Sequence, residues 1–339
     1  MSHMQNDVQW QRLCFQADLG KLVSSPESIT GGLLHTMYRV KTAKGNYAVK
    51  LLNPIIMRRP EAMTNYMNSE KIANHLSNYI PALPTNLING TFVHEIDHQF
   101  YMVFDWIEGR SLKPIEIKPL HSRKIGSILA DIHKAHCEEL ELEYSGINNC
   151  HWIEWHRYMK KGQKKSAEWV TLLERNIDKL YEWEAKSKKA AEVLSSETVM
   201  SHRDLDPKNV MWYQGNPVVI DWESAGSINP MQDLIETAVY WSTDGQGNIN
   251  DKPFLAFIEG YQKNSGELCA HWEQVLDTGY LGKLNWLEYN LKRSLQMECS
   301  DEEEQKLGAA QVKETIMELQ QYENSTPILL DWLIKKRVV

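Results

Sequence analysis

The chain has 339 residues, 42% hydrophobic and 24% charged, an ordinary globular composition too long for one small core. Its 37 basic and 45 acidic residues give a formal charge of −8, which argues against general nucleic-acid binding. No apolar run reaches bilayer-spanning length and no charged-then-apolar leader opens the chain, where Ser2-His3-Met4 reads as a cloning remnant. The expectation is therefore a soluble, cytoplasmic protein with no membrane or protein partner. Five scattered cysteines (Cys14, Cys137, Cys150, Cys269 and Cys299) contain no CxxC pair, and predict reduced, mostly buried thiols rather than a disulfide framework or a zinc site.

In chain order, 29–40 and 47–52 read as strands joined by a turn at Lys44-Gly45-Asn46. Pro60 suits a first helical turn, and a helix is predicted from there to about Tyr79. Residues 92–96 alternate, Asp97-His98 makes a turn, and 99–106 forms a further strand. Together these predict a small antiparallel sheet with one helix, an α+β lobe over 5–106. Residues 107–111 break the pattern and serve as the linker to a mostly helical lobe over 107–339. There Ile125, Ile128, Leu129, Ile132 and Ala135 repeat at helical spacing. Residues 151–190 are helical, 199–222 form a β-rich island, and helices follow over 230–242, 252–264, 268–297, 302–322 and 326–337. The acidic run 301–304 suits a helix start, where carboxylates complement the dipole.

The strongest chemical signal is Ser201-His202-Arg203-Asp204-Leu205-Asp206-Pro207-Lys208-Asn209-Val210, followed after an apolar Val218-Val219-Ile220 by Asp221-Trp222-Glu223. Phosphoryl transfer needs a carboxylate to orient the acceptor hydroxyl and take its proton, and hard oxygens to hold magnesium on the phosphates. Asp and Asn five apart on a loop, then a buried strand ending in Asp, supply that set: Asp204 as base, Asn209 and Asp221 as magnesium ligands. A polar surface loop would explain the first motif alone, but not the second at this distance. Upstream, Lys50 ends a strand among apolar neighbours and needs an anionic partner. The candidates are phosphates and Glu70, which shares an i, i+4, i+7 stripe with Met63 and Met67. Gly31-Gly32 permits close backbone approach to a phosphate, or is a hairpin turn. No Walker motif and no GxGxxG loop is present.

At these residues the sequence resembles the aminoglycoside phosphotransferase and choline kinase family, which shares the bilobal protein-kinase-like fold. The resemblance runs from Gly31-Gly32 through Lys50, Glu70, the Met102–Gly109 segment, the helix containing Leu129–His133 and the His202 loop to Asn229-Pro230-Met231-Gln232-Asp233-Leu234. It implies an ATP- or GTP-dependent, magnesium-requiring kinase that phosphorylates a hydroxyl of a small molecule. In that frame Lys50, braced by Glu70, holds the nucleotide phosphates. The backbone of Asp105, Trp106 and Ile107 receives the base. Asp233 braces the catalytic loop, and His202 is structural. Only twelve residues separate Asp221 from Asp233, too few for the activation segment with which a protein kinase docks a peptide. Trp222-Glu223 replaces Phe-Gly, so Glu223 is either a further metal-site carboxylate or a contact for a cationic acceptor. The family places its acceptor on the helical lobe. Asp206, Glu223, Glu236 and Trp241 are the candidate contacts there, with Asp244 and the aromatic residues Trp152, Trp155, Trp222, Tyr240, Trp286 and Tyr289 nearby in sequence. An aminoglycoside-like antibiotic is the first acceptor to expect. Choline, ethanolamine, a sugar or an amino alcohol comes second, and a nucleotide-binding pseudokinase last, because Lys50, Asp204, Asn209 and Asp221 are all present.

Overall fold

The structure is a computed structural model and describes residues 3–29, 34–143, 151–299 and 301–335. It opens with α1 (His3–Gln16), β1 (Glu27–Ile29), β2 (Thr36–Lys41), β3 (Asn46–Leu51), α2 (Pro54–Met57), α3 (Ala62–Leu76), β4 (His94–Ile96), β5 (Gln99–Asp105) and β6 (Arg110–Ser111). Then come α4 (Pro119–Lys134), α5 (Trp155–Lys164), α6 (Val170–Leu194), β7 (Val199–Ser201), β8 (Val210–Tyr213), β9 (Asn216–Val219) and β10 (Gly226–Ile228). The chain ends in α7 (Pro230–Tyr240), α8 (Asp251–Ser265), α9 (Trp272–Thr278), α10 (Leu281–Ser294) and α11 (Glu302–Lys335). Two compact units interleave along it. The first gathers Met1–Leu112, Ala135–Gly146 and His202–Gly226; the second gathers Lys113–Lys134, Ile147–Ser201 and Ser227–Val339.

The first unit is built on an antiparallel sheet of order β1-β2-β3-β5-β4. Strand alternation splits its side chains between two faces. Val40, Val49, Tyr101 and Val103 pack with Trp10, Leu13 and Cys14 of α1 and with Ala17 just after it. Met102, Phe104 and Leu52 pack instead with Tyr66 of α3 and with Val93. Lys50 pairs in register with Met102, so the period of two puts its side chain on the α3 face, opposite Val49. A second sheet, β6-β8-β9, lies in the same unit. Its β9 edge is covered by the segment after α3: Val219 N donates to Pro81 O (2.8 Å) and Leu83 N donates to Val219 O (2.8 Å). The β8–β9 hairpin is thereby attached to the chain that leaves α3.

The second unit is helical, with Trp155, Trp169, Trp183, Trp241, Phe254 and Phe257 fully buried. Helices α4 and α8 approach closely because glycine stands at the crossing. A Cβ on Gly126 would lie 2.2 Å from Phe257 O, and one on Gly260 would lie 2.0 Å from Arg123 O.

The expected α+β composition, a small antiparallel sheet with a helix and a mostly helical portion, is the one observed. Several helix bounds differ. The single helix expected over 268–297 is two, α9 and α10, and the two expected over 302–322 and 326–337 are one, α11. The helical stretch 151–190 divides into α5 and α6, next to Ser166 with φ of 52°. Cys14 and Cys137 are buried, Cys299 is half-buried and Cys269 is exposed; Cys150 lies outside the described residues. No helix among the described residues is long and apolar enough to cross a membrane.

Candidate active site

The loop before β8 is fixed by its own side chains. His202 is fully buried against Trp222, ring centroids 4.6 Å apart. Its Nδ1 accepts from Asp204 N (3.2 Å), so the proton of the neutral ring sits on Nε2, which donates to Ile220 O (3.0 Å). One imidazole thus ties the loop to the end of β9. Asn209 is buried and turns its amide nitrogen back, donating to Asp204 O (2.8 Å) and Asp204 Oδ2 (2.9 Å). Its backbone carbonyl accepts from Ile220 N (2.9 Å). Two residues around this loop hold left-handed backbone, Arg203 (φ 62°) and Asp221 (φ 63°). Aspartate tolerates that region better than most residues, arginine less so, and such strain persists where surrounding bonds over-determine it. Burial raises the Asp204 carboxyl to about 6, against the pull of Lys208 nearby.

A second cluster lies on the α3 face of the sheet. The buried Lys50 Nζ donates to Asp221 Oδ1 (2.6 Å) and Glu223 Oε2 (3.0 Å). Burial works against its charge, but the two carboxylates outweigh it and hold the ammonium above the ordinary lysine range. Glu223 also lies 3.3 Å from His35 Nε2. Burial opposes the Glu223 charge, yet Lys50 and His35 hold this carboxyl well below its usual range. His35 Nδ1 accepts from Asn53 N (3.0 Å), so Nε2 of the neutral ring carries the proton and faces both Glu223 and Tyr66 Oη (2.7 Å).

Among the described residues no group of three or more His, Cys, Asp or Glu side chains is arranged to hold a metal ion. Magnesium does not need one, since it binds through one or two protein oxygens together with phosphates and waters. Asp221, with 34% of its side chain exposed, fits that demand. So does Asn209, whose amide nitrogen is engaged by Asp204 and whose amide oxygen is then the remaining ligating atom.

The model of a phosphotransferase enzyme family matches residues 26–275. The chain belongs to that family. No match was found among curated protein sequences. Solved structures of the same fold include a spectinomycin phosphotransferase in complex with ADP and spectinomycin (14% identity, TM-score 0.67, covering 95% of this chain and 98% of that one). The ethanolamine kinase of Plasmodium vivax is another (16%, TM-score 0.62, 93% and 89%). An amicoumacin kinase with AMP-PNP and Ca2+ is a third (13%, TM-score 0.57, 93% and 96%). At these identities the likeness establishes the protein-kinase-like fold.

The first unit of this phosphotransferase brings together Lys50, Asp204, Asn209, Asp221 and Glu223, but not every expected contact is made. The Lys50–Glu70 ion pair is replaced by Lys50 with Asp221 and Glu223. Glu70 is buried, and its Oε2 accepts from Thr85 N (2.7 Å) and Thr85 Oγ1 (2.9 Å). Burial raises the Glu70 carboxyl in spite of those bonds and of Lys50. Asp105 ends β5 and accepts from Asn86 Nδ2 (3.0 Å). Trp106 N donates to Asn46 O (3.2 Å). Asp206 caps the short turn Pro207–Asn209 by accepting from Lys208 N (2.8 Å), a structural use of the side chain expected to meet acceptor. Glu236 and Trp241 belong to the second unit. There Glu236 accepts from Gln232 Nε2 (3.0 Å), and Trp241 is fully buried, so its ring is core and not a wall for an acceptor. Trp155 and Trp222 are buried likewise, whereas Trp152 is exposed beneath Lys188 (4.3 Å to the ring). Gly31 and Gly32 lie outside the described residues. The sequence alone assigns no role to His35, three residues beyond Gly32, or to Lys208, which sits inside the loop motif.

Proposed function

We propose that this phosphotransferase moves the terminal phosphoryl group of ATP or GTP to a hydroxyl of a small molecule, with Asp204 as catalytic base. The observation that carries the reading is the paired geometry of the loop: Asp204 held by Asn209, and Asp221 by Lys50, on one hairpin. Asp204 accepts the proton of the acceptor hydroxyl while that oxygen attacks phosphorus. A carboxyl lifted to about 6 is a stronger base than an ordinary aspartate and still ionised near neutrality. Lys50 supplies positive charge to the nucleotide phosphates. Asn209 and Asp221 would hold magnesium, which would neutralise phosphate charge.

For the acceptor, the reading is an aminoglycoside-like antibiotic. The spectinomycin phosphotransferase and the amicoumacin kinase support it by fold, and the acidic balance of the chain suits an amine-bearing acceptor. The ethanolamine kinase neighbour favours the second reading, a metabolic kinase for an amino alcohol such as choline or ethanolamine. The deciding assay is nucleoside diphosphate release with magnesium and ATP or GTP across aminoglycosides, choline, ethanolamine and simple sugars, with Asp204→Ala as the blank. Release with an antibiotic, absent in the blank, is the expected outcome. Release with an amino alcohol alone moves the enzyme to the second reading, and equal release by the Asp204→Ala protein overturns the assignment of the base.

A further inference from the structure

Lys208 stands inside the loop without a part in the reaction so far described. Its backbone is pinned on both sides: Lys208 N donates to Asp206 Oδ1 (2.8 Å), and Lys208 O accepts from Ser111 Oγ (2.8 Å) on β6. From that anchor the side chain reaches back to Asp204, placing Nζ 3.6 Å from Oδ2, close enough to attract but longer than a hydrogen bond. The same oxygen already accepts from Asn209 Nδ2 at 2.9 Å, so the carboxylate has a closer donor than the ammonium. With 57% of its side chain exposed, Lys208 retains the freedom to move a few ångströms. Lys50, in contrast, is buried, with its ammonium 2.6 Å from Asp221 and 3.0 Å from Glu223.

In-line transfer places the attacking oxygen between its base and the phosphorus, and charge spreads over the equatorial oxygens as the bond to the leaving group stretches. A cation beside the base is therefore beside those oxygens. We propose that Lys208 is a further catalytic residue, whose ammonium leaves Asp204 and contacts an equatorial oxygen of the phosphoryl group in transit. The proposal rests on the function proposed above. In the step, the bond from acceptor oxygen to phosphorus forms and the bond to the bridging oxygen breaks. The electron pair departs on the nucleoside diphosphate, and the hydroxyl proton passes to Asp204. Lys208 neither gains nor loses a proton.

The test compares wild type, Lys208→Met and Lys208→Arg in the full chain. Calorimetric binding of Mg·ADP is measured with and without tetrafluoroaluminate, whose planar anion mimics the group in transit. Lys208→Met should bind Mg·ADP within about twofold of wild type, yet lose at least about tenfold for the tetrafluoroaluminate complex, and Lys208→Arg should recover most of that loss. With the best acceptor of the panel, or with water, kcat of the Met variant should fall at least about thirtyfold while the nucleotide KM stays within about threefold. If Met lowers Tm by more than about 5 °C, Lys208→Gln replaces it in the same comparison. Equal tetrafluoroaluminate affinity in wild type and the neutral variant overturns the proposal, as does an equal loss in the Arg and Met variants, which would mark a role of shape alone. Wild type unable to bind Mg·ADP would instead bring down the proposed function, and this inference with it. An inert Asp204→Ala beside a fully active Lys208→Met would remove only the role of Lys208.

Discussion

Asp221 and Glu223, two residues apart, share one buried ammonium, and Glu223 is further held by His35. Removing the cation leaves two neighbouring carboxylates to repel each other. Lys50→Met is thus expected to lower stability by about 2–3 kcal/mol, less than for fully buried pairs because solvent reaches both carboxylates. Adding Glu223→Gln to it should return part of that loss, and urea unfolding of the four proteins of the cycle reads the coupling. Full additivity would show that the shared ammonium does not couple them. The native pKa of Glu223 lies below its ordinary value, so its contribution is complete above about pH 4.5 and is lost as pH falls through the native pKa. Asp204 behaves in the opposite sense. Its native pKa is raised from 3.8 to about 6, so the fold loses stability as pH rises through that window, and Asp204→Asn should raise Tm at pH 7.5 by roughly 2 °C. The base acts only when ionised, so kcat/KM of the free enzyme should fall as pH drops below about 6. A profile flat down to pH 5 would contradict the raised carboxyl. Asp204, Asn209 and Asp221 are visible in the sequence because their spacing is fixed by the loop and hairpin that carry them. The partner of Lys50 is not, because Asp221 and Glu223 meet it only across the fold, and nothing local to Glu70 reveals that Thr85 donates to it.

At the scale of elements, helix α11 and the break between α9 and α10 both run against the local signals. Pro327 lies inside α11, where it lacks an N–H to donate and ordinarily disrupts a helix. Next to it, Ser325 Oγ and Thr326 Oγ1 bond back to Gln321 O and Tyr322 O (2.9 Å each), a local adjustment of hydroxyls to carbonyls one turn earlier. The buried Leu319, Tyr322, Leu329 and Leu333 continue the packed stripe through the proline. Tertiary burial thus carries the helix past a residue that a local reading takes as its end. The opposite happens at Gly279. Its backbone is right-handed helical (φ −61°), so the glycine is required by space and not by conformation. A Cβ there would sit 2.1 Å from Tyr322 Oη, the group that donates to Leu276 O (2.7 Å). Gly279→Ala must expel a buried tyrosine and strand a carbonyl, and is expected to cost about 2–4 kcal/mol. Calorimetry should show Tm lower by about 5 °C or more, while Gly282→Ala, with nothing within 4 Å of its added carbon, should leave it unchanged or raised. The strands β3 and β5 were readable as 47–52 and 99–106, although 29–40, expected as one strand, is the end of β1 and most of β2, paired antiparallel through Ile29↔Met37. The helix limits were not, because what sets them is a partner far away in sequence.

For the molecule as a whole, the two compact units do not follow one another along the chain. The first needs three segments, and its second sheet cannot be made from the first 112 residues, because β6 pairs with β8 through Arg110↔Trp212 and Ser111↔Met211. The chain leaving α3 also depends on a later segment: Pro81 and Leu83 exchange backbone hydrogen bonds with Val219. In its absence Pro81 O and Leu83 N lose those partners beside Glu70 and Thr85, and Lys50 is left buried without Asp221 or Glu223. A chain ending at Leu112 therefore carries the complete five-stranded sheet and still lacks what satisfies its buried polar groups. It is expected to unfold without the cooperative transition of the full chain and to bind no Mg·ATP. Joining residues 202–226 to it through a flexible linker restores the β6-β8-β9 sheet and the acid partners of Lys50, and should recover a cooperative thermal transition. Circular dichroism melts of the two fragments decide the matter: a sharp transition in the fragment ending at 112 would mean that the sheet and its α1 core suffice, and that the later hairpin is added for chemistry alone.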